Sequence, residues 1–241
     1  MARRKEMQMT KPIALVSGVG PGTGKAIVER FVRGGYCVAM LARSRERLDV
    51  FAREIPDTLA VACDVADATQ VDAAVARVRK ELGAPEVLVH NAVGGWFANF
   101  LDLDPAILNN NFQVNAMGLL HLAQRLAPAM IDAGKGTIVA TGNTSALRGK
   151  ASFAGFAPTK AAQRILAESM ARTLGPKGVH VAYVVIDAVI DLEWTRRLNS
   201  DKPDEFFCKP ADIADEIWHL VQQPRSAWSF NVEVRPFGEN W

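Results

Sequence analysis

Seven apolar segments of strand length recur along the chain. As a group they are rich in valine and isoleucine, and polar residues do not alternate with apolar ones inside them. Continuous apolar segments of this kind are typical of strands that are buried on both faces of a parallel sheet. The predicted strands are residues 13–17, 37–42, 59–63, 87–90, 137–141, 181–187 and 231–234.

Between these segments, apolar residues return at the spacing of an α-helix, as Val71, Val75 and Val78 do. Strands that alternate with helices form parallel sheets with right-handed crossovers. The pattern therefore predicts an α/β fold, a doubly wound parallel seven-stranded sheet flanked by helices, as one domain over residues 11–241. The predicted helices are residues 24–32, 66–82, 105–131 and 153–174, and residues 192–210 are predicted to be a loop or short helical lid.

Composition excludes several classes of partner. The 241 residues include 28 Lys and Arg against 26 Asp and Glu, and a net charge of +2 gives no reason to expect nucleic acid or a membrane. The basic residues 1–10 are predicted to be a flexible tail. Three cysteines cannot form a disulfide framework, which favours a cytoplasmic location. Histidine, cysteine and acidic residues show no ligand spacing, so no metal site is predicted.

A glycine-rich turn joins the first predicted strand to the first predicted helix. Ligands of parallel sheets bind beyond the carboxyl ends of the strands. Glycines there let the backbone approach a pyrophosphate, and the N-terminus of a helix stabilises negative charge. The turn therefore predicts a nucleotide site. It reads Ser17-Gly18-Val19-Gly20-Pro21-Gly22-Thr23-Gly24.

The spacing of this turn resembles the Thr-Gly-x-x-x-Gly-x-Gly motif of the short-chain dehydrogenase/reductase family, with Ser17 in place of threonine. Other motifs similar to those of the family follow in order along nearly the whole chain. They are Cys63-Asp64-Val65, His90-Asn91-Ala92-Val93-Gly94, Val114-Asn115-Ala116 and Lys160. The resemblance implies a single Rossmann-like domain that binds a nicotinamide dinucleotide and transfers a hydride to or from a carbonyl or alcohol carbon.

The resemblance also implies a set of cofactor-binding residues, which includes the turn and the residues after the third, fourth and sixth strands. That set is Ser17, Gly18, Gly22, Thr23, Gly24, Asp64, Val65, Asn91, Ala92, Val93, Lys160 and Ile190. In the family, an acidic residue at the end of the second strand favours NAD(H), but here Ala42 is followed by Arg43 and Ser44. A guanidinium and a hydroxyl suit a 2′-phosphate, so NADP(H) is favoured over NAD(H). The alternative is that Arg43, Arg45 and Arg47 form a solvated surface cluster.

The catalytic centre departs from the family pattern. The family's Tyr-x-x-x-Lys has Phe156 before Lys160, and Asn143 stands where the family has a serine. Phenylalanine has no ionisable proton, whereas asparagine can still polarise a carbonyl oxygen. Asn115 matches the family's asparagine, which helps to hold a water in the proton relay. Asp187 ends the sixth strand, where a desolvated carboxyl could donate the proton.

Other groups stay open as the proton donor. They are Ser145, Thr144, Lys160 itself and His90, whereas Tyr36 and Tyr183 are not expected to be placed for this role.

The sequence leaves two hypotheses for the function. The first is an NADP(H)-dependent oxidoreductase that acts on a small apolar or aromatic carbonyl, imine or alkene with a non-standard proton donor. The second is a catalytically silent NADP(H)-binding sensor, regulator or oligomer partner. The resemblance also implies a homodimer or homotetramer.

Overall fold

The computed structural model of the chain describes residues 11–238. The predicted tail, residues 1–10, lies outside the described residues. Seven strands form one parallel sheet in the order β3-β2-β1-β4-β5-β6-β9, and β7 pairs with β8 in a separate small sheet. The strands are β1 Ile13–Ser17, β2 Cys37–Ala42, β3 Thr58–Ala62, β4 Val87–His90, β5 Gly136–Asn143, β6 Val179–Ile186, β7 Val189–Ile190, β8 Phe207–Cys208 and β9 Asn231–Val234.

Helices cover both faces of the large sheet. They are α1 Thr23–Arg33, α2 Arg45–Glu54, α3 Ala68–Glu81, α4 Pro105–Phe112, α5 Gly118–Asp132, α6 Ala157–Leu174, α7 Glu193–Leu198 and α8 Pro210–Gln222. The doubly wound parallel seven-stranded sheet and the single Rossmann-like α/β domain are thus confirmed. None of the helices within residues 11–238 is both long and apolar enough to cross a membrane.

Successive strand residues point to opposite faces, so the sheet has an apolar layer on each side. Leu15 and Leu41 pack in the layer that includes α3, α5 and α6, whereas Val16 and Met40 pack in the layer of α1 and α8. All four side chains have no exposed surface. Burial on both faces explains why these strands are continuous apolar segments in the sequence.

The structure corrects several of the predicted elements. The predicted helix 105–131 is divided by a π-helical turn, Gln113–Met117, between α4 and α5. The predicted helix 153–174 begins only at Ala157, because Phe153 forms a β-bridge with Ala98 and residues 154–156 form turns. Two helices were not predicted: α2, whose first turn carries Arg45 and Arg47, and α8. The stretch 192–210 contains the short helix α7.

Candidate active site

The glycine-rich turn after β1 is packed so tightly that its first position requires glycine. Gly18 has a φ of +78°, and a Cβ on it would lie 2.4 Å from backbone atoms of Ala92. Asn91 Nδ2 donates to the Gly18 carbonyl oxygen at 3.0 Å and fixes the turn against the end of β4. The N-cap of α1, Gly22, offers no side chain to the free N–H groups of the first helical turn. These donors and the helix dipole favour a phosphate-bearing ligand.

Two cavities open at the carboxyl edge of the sheet, and the glycine turn borders both. The first has a volume of about 660 Å³ and the second about 550 Å³. Gly18, Gly20, Asn91 and Val93 line both, so an extended ligand can reach from one into the other. Of the other residues assigned to the cofactor, Gly22, Thr23, Gly24, Lys160 and Ile190 line the first cavity, and Arg43, Ser44, Asp64, Val65 and Ala92 line the second.

Ser17 was expected to contact the cofactor, but it lines neither cavity. Its side chain is fully buried, and its Oγ lies 3.0 Å from Nδ1 of His90. The hydroxyl therefore joins the ends of the neighbouring strands β1 and β4. Ser17 supports the glycine turn without reaching the space that a ligand would occupy.

The loop after β2 and the first turn of α2 each bring one guanidinium group to the second cavity. Arg43 and Arg47 line it, and neither forms an ion pair within residues 11–238. Arg45 instead pairs with Asp49, with 2.8 Å between Nε and Oδ1. Ser44 caps α2, where its Oγ accepts a hydrogen bond from the Arg47 backbone N–H at 3.3 Å. All three arginines are exposed, and Arg43 and Arg47 have no carboxylate partner in the described chain, so both can meet an anion in this cavity.

The side chain of Lys160 is buried beside the first cavity, with 3% of the residue exposed. Its Nζ donates to the Thr141 carbonyl oxygen at 3.1 Å and to Gln163 Oε1 at 3.0 Å. No carboxylate among the described residues lies within 4.0 Å of this Nζ. Burial lowers the pKa of Lys160 to about 7. A group that titrates near neutral pH is suited to exchanging a proton with a ligand.

Phe156, where the family tyrosine is expected, belongs to an aromatic cluster at the first cavity. Its ring centroid lies 5.0 Å from that of Phe97 and 6.5 Å from that of Phe153. Lys160 Nζ lies 5.9 Å from the Phe156 ring centroid. Of these three rings, Phe156 is the one that lines the first cavity, and it gives the cavity an apolar surface without an ionisable proton.

Asn143 ends β5 and also lines the first cavity. Its Oδ1 accepts a hydrogen bond from the Ser145 backbone N–H at 3.1 Å. Its Nδ2 group makes no hydrogen bond in the part of the chain that the structure describes. This amide can donate to a carbonyl oxygen in the cavity, which is the polarising role predicted from the sequence.

Asp187, a predicted candidate for the proton donor, faces a different cavity. It lines a space of about 250 Å³ together with Arg148 and Lys150, and it does not line the first cavity. Thr144 Oγ1 donates to its Oδ1 at 3.2 Å. Ile186 and Ala188, its neighbours in sequence, line both cavities, so the small cavity of Asp187 adjoins the first cavity without the Asp187 side chain reaching the latter.

Two further titratable groups are buried close to Lys160 without lining either large cavity. Burial lowers the pKa of His90 to about 3, so its imidazole stays neutral. Burial raises the pKa of the Tyr183 phenol, whose oxygen lies 3.3 Å from Gln163 Oε1. A Cβ on Gly142 would lie 2.1 Å from that phenol oxygen. Because Gly142 lines the first cavity, its backbone separates Tyr183 from the ligand space.

The π-helical turn holds Asn115 against the loop that follows β4. Asn115 Oδ1 accepts from the Gly94 backbone N–H at 2.9 Å, and its Nδ2 donates to the Gly94 carbonyl oxygen at 3.0 Å. The same Nδ2 donates to Thr159 Oγ1 at 2.8 Å. The backbone carbonyl of Asn115 accepts from Gln163 Nε2 at 2.9 Å. Asn115 therefore ties the loop to α6, next to Lys160.

The segment after β6 forms an arm beside the first cavity, which we define as residues 189–208. Its two ends pair as β7 and β8. Arg196 Nη2 donates to Asp191 at 2.9 Å, and Nη1 of the same guanidinium donates to Asp204 at 2.6 Å. This guanidinium lowers the pKa of Asp191. Trp194, on α7, lines the first cavity and is 60% exposed.

Comparison with known proteins identifies the family. A sequence profile described as short chain dehydrogenase matches residues 12–203. The chain belongs to the short-chain dehydrogenase family. The D-erythrulose reductase of Gallus gallus is 32% identical to this family member over 169 residues, which cover 70% of this chain and 67% of that protein. Carbonyl reductase (NADPH) 2 of Sus scrofa is 30% identical over 227 residues, which cover 89% and 90%.

Solved structures of short-chain dehydrogenases agree with this assignment. One from Rhodopseudomonas palustris has a TM-score of 0.81 and 29% identity, and the match covers 94% of this chain and 99% of that chain. A metagenomic short-chain oxidoreductase in complex with NADP has a TM-score of 0.82 and 28% identity, with coverage of 93% and 97%. The named relatives are reductases and dehydrogenases, so this short-chain dehydrogenase is an oxidoreductase.

The site of this short-chain dehydrogenase fits a nicotinamide dinucleotide. The fit rests on the uncapped N-terminus of α1 at Gly22 and on the two cavities that share the glycine turn. Three residues of the site were not predicted from the sequence: Arg47, Asn111 and Gln163. Asn111 Nδ2 donates to the Gly155 carbonyl oxygen at 2.7 Å, one turn before Asn115. Gln163 could have been identified from the sequence, because it lies three residues after Lys160 and therefore on the same face of a predicted helix.

Proposed function

We propose that the protein is an NADP(H)-dependent oxidoreductase that acts on a small apolar or aromatic carbonyl, imine or alkene. In this proposal the proton comes from a donor other than the family's tyrosine. The observation that carries the proposal is the combination at the first cavity of a buried lysine, Lys160, with a phenylalanine, Phe156, four residues before it. The cofactor side of the site matches the family, and the proton-donating side does not.

The preference for NADP(H) is supported by the free cations of the second cavity. A 2′-phosphate would meet Arg43 and Arg47, which have no carboxylate partner in the described chain, and no acidic side chain ends β2. The names of relatives agree in part: one is an NADPH carbonyl reductase and three structural neighbours hold NADP, NADPH or 5-hydroxy-NADP, whereas another neighbour is complexed with NADH. When bound, the nicotinamide supplies or accepts the hydride.

Removing the Arg43 guanidinium tests the cofactor preference. We expect Arg43→Ala to weaken NADPH binding about 10- to 100-fold, because a hydrogen bond to a charged group contributes about 1.5–3 kcal/mol. NADH lacks the 2′-phosphate, so its dissociation constant should hardly change. Titration of both cofactors by nucleotide fluorescence gives the comparison. The matched control is Arg45→Ala, whose guanidinium pairs with Asp49. An equal loss of NADPH and NADH affinity in Arg43→Ala would remove the basis for the NADP(H) assignment.

The remaining roles fall to residues of the first cavity. The free Nδ2 group of Asn143 polarises the substrate oxygen, and Phe156 and Trp194 supply an apolar surface that suits an apolar or aromatic substrate. Lys160 is the proposed proton donor, because it lines this cavity and its pKa of about 7 lets the ammonium release a proton near neutrality. Asp187 is the weaker candidate, since it lines a neighbouring cavity. Imines and conjugated alkenes, which are easily protonated, should react fastest.

Turnover of NADPH with a panel of ketones, imines and enones tests the function. We expect reduction, and we expect its rate to fall as the pH rises through about 7, because the Lys160 ammonium then loses its proton. Asp187→Asn and Ser145→Ala should keep most of the rate, because neither residue is the proposed proton donor. Loss of the true general acid would instead reduce the rate about 10²- to 10⁴-fold. A loss of that size in Asp187→Asn alone would transfer the role to Asp187. Tight NADPH binding without turnover of any substrate would instead support the silent NADP(H)-binding protein.

The proposal also includes a cytoplasmic location and a homodimer or homotetramer. The location is supported by the free state of the three cysteines, Cys37, Cys63 and Cys208. The oligomer is carried over from the family, in which helices equivalent to α4–α5 and α6 form the contact between subunits. Sedimentation of the purified protein measures the oligomer directly.

A further inference from the structure

A buried carboxamide on α6 joins Lys160 to two other parts of the fold. Gln163 has no exposed surface, and it lies on the same helix face as Lys160, one turn further on. Its Oε1 accepts from Lys160 Nζ at 3.0 Å, and its Nε2 donates to the Asn115 carbonyl oxygen at 2.9 Å. The Tyr183 phenol oxygen lies 3.3 Å from the same Oε1 and 3.3 Å from the Lys160 carbonyl oxygen, and its one hydrogen is shared between these two acceptors. Gln163 thus occupies the space between Lys160 and Asn115.

These partners leave the Gln163 carboxamide one orientation. If its oxygen and nitrogen were exchanged, an N–H₂ group would face the Lys160 ammonium and an oxygen would face the Asn115 carbonyl oxygen. Both of those contacts would be repulsive. An ammonium has three N–H donors, and Gln163 and the Thr141 carbonyl accept two of them. One N–H therefore remains for a ligand in the first cavity, which Lys160 lines.

We propose that Gln163 is the positioning residue for Lys160. Its carboxamide fixes the ammonium so that one N–H is left for the first cavity. The same contact sets how strongly Lys160 binds its proton. The consequence for turnover rests on the proposed function, whereas the effect on Lys160 itself does not. A carboxamide oxygen stabilises the ammonium without a full negative charge. A carboxylate at the same place would hold the proton too strongly for release near neutral pH.

The groups around Lys160 bring no opposing charge. From β4 it is faced by His90, which is neutral because burial lowers its pKa to about 3, and from β6 by the neutral Tyr183 phenol. Asp187 follows β6 but faces the cavity of about 250 Å³. On α6, Arg164 lies near Glu168, with 3.7 Å between Nη1 and Oε2. The π-helical turn and β5 contribute Asn115 and Thr141, which do not titrate.

Titration of Lys160 in the free protein tests the proposal without cofactor or substrate. The probe is isotope-labelled lysine, whose side-chain NMR signal follows pH, with the Lys160 signal assigned by its loss in Lys160→Arg. We expect a midpoint near 7 in the wild type. Gln163→Glu should raise the midpoint by about one to three pH units, because an opposite charge in contact with the ammonium favours the protonated form. Gln163→Met, which keeps the unbranched shape, should lower it.

Gln124→Glu is the matched control, because it adds the same charge at an exposed position of α5 and should leave the Lys160 midpoint unchanged. A midpoint in Gln163→Glu that equals the wild-type value overturns the proposal. If Gln163→Glu does not fold, the test falls to Gln163→Met. A Lys160 midpoint in Gln163→Met that is not below the wild-type value would also overturn the proposal. A second readout is the pH dependence of NADPH affinity, whose midpoint should move with that of Lys160. A shifted midpoint in a protein that reduces no substrate would contradict the proposed function and leave the role of Gln163 intact.

Discussion

Phe156→Tyr is expected to raise the kcat for the reduction of unactivated ketones by at least about 10²-fold, the lower end of what a general acid contributes. The new phenol would stand at the wall of the first cavity, four residues before Lys160. Lys160 Nζ lies 5.9 Å from the present ring centroid, and a cation at that distance favours the phenolate and lowers the phenol pKa. The gain should be smaller for imines and enones, which need less help with protonation.

The control for this substitution is Phe153→Tyr, because Phe153 belongs to the same aromatic cluster but does not line the first cavity. Its kcat should stay close to the wild-type value in steady-state assays with NADPH and a ketone. An equal increase in both variants would mean that the hydroxyl acts through stability or packing. No increase in Phe156→Tyr would mean that the chemistry at this site does not depend on a phenol.

Gly18→Ala is expected to abolish measurable NADPH binding and to lower the free energy of unfolding by at least about 2 kcal/mol. The left-handed backbone at this position alone costs about 1–2 kcal/mol for a residue with a Cβ. The added atom would also lie 2.4 Å from the Ala92 backbone, and backbone cannot rotate out of the way as a side chain can. Urea unfolding and nucleotide fluorescence measure the two effects separately.

Gly20 offers the contrast within the same turn. A Cβ on Gly20 would have no heavy atom within 4 Å, and its φ lies outside the left-handed region. Gly20→Ala should therefore change the free energy of unfolding by no more than about 0.5 kcal/mol, as a typical surface substitution does. If Gly18→Ala and Gly20→Ala lowered the free energy of unfolding by similar amounts, the close approach to Ala92 would not be the reason that Gly18 must be glycine.

The seven strands could be predicted from the sequence because burial on both faces leaves continuous apolar segments, such as the residues of β1 and β6. The glycine turn was equally visible, since Gly18 must approach other backbone. Helix α2 was missed because its first turn begins in the arginine-rich loop at Ser44. The π-helical turn left no signal either, because one extra residue within a turn changes the apolar spacing of 105–131 too little to see.

The candidate site was harder to predict than the fold, because the direction of a side chain determines which cavity it lines and the sequence does not give that direction. Asp187 stands at the expected place in the chain, but in the structure its side chain lines the neighbouring cavity and not the first one. Tyr183 lies within a strand, and only the structure shows that its phenol reaches Gln163. Such contacts join residues from different elements, so they depend on how α6 packs on β6 and not on any local pattern.

The doubly paired guanidinium of Arg196 affects how a ligand would be enclosed. It links Asp191 near the start of the arm of residues 189–208 to Asp204 near its end, and β7 pairs with β8 at the same base. The arm is therefore already cross-linked before a ligand arrives, and little chain entropy remains to be lost when Trp194 covers a bound molecule. A ligand in the first cavity would therefore meet an arm that is already ordered, and its affinity would not carry the cost of folding a loop.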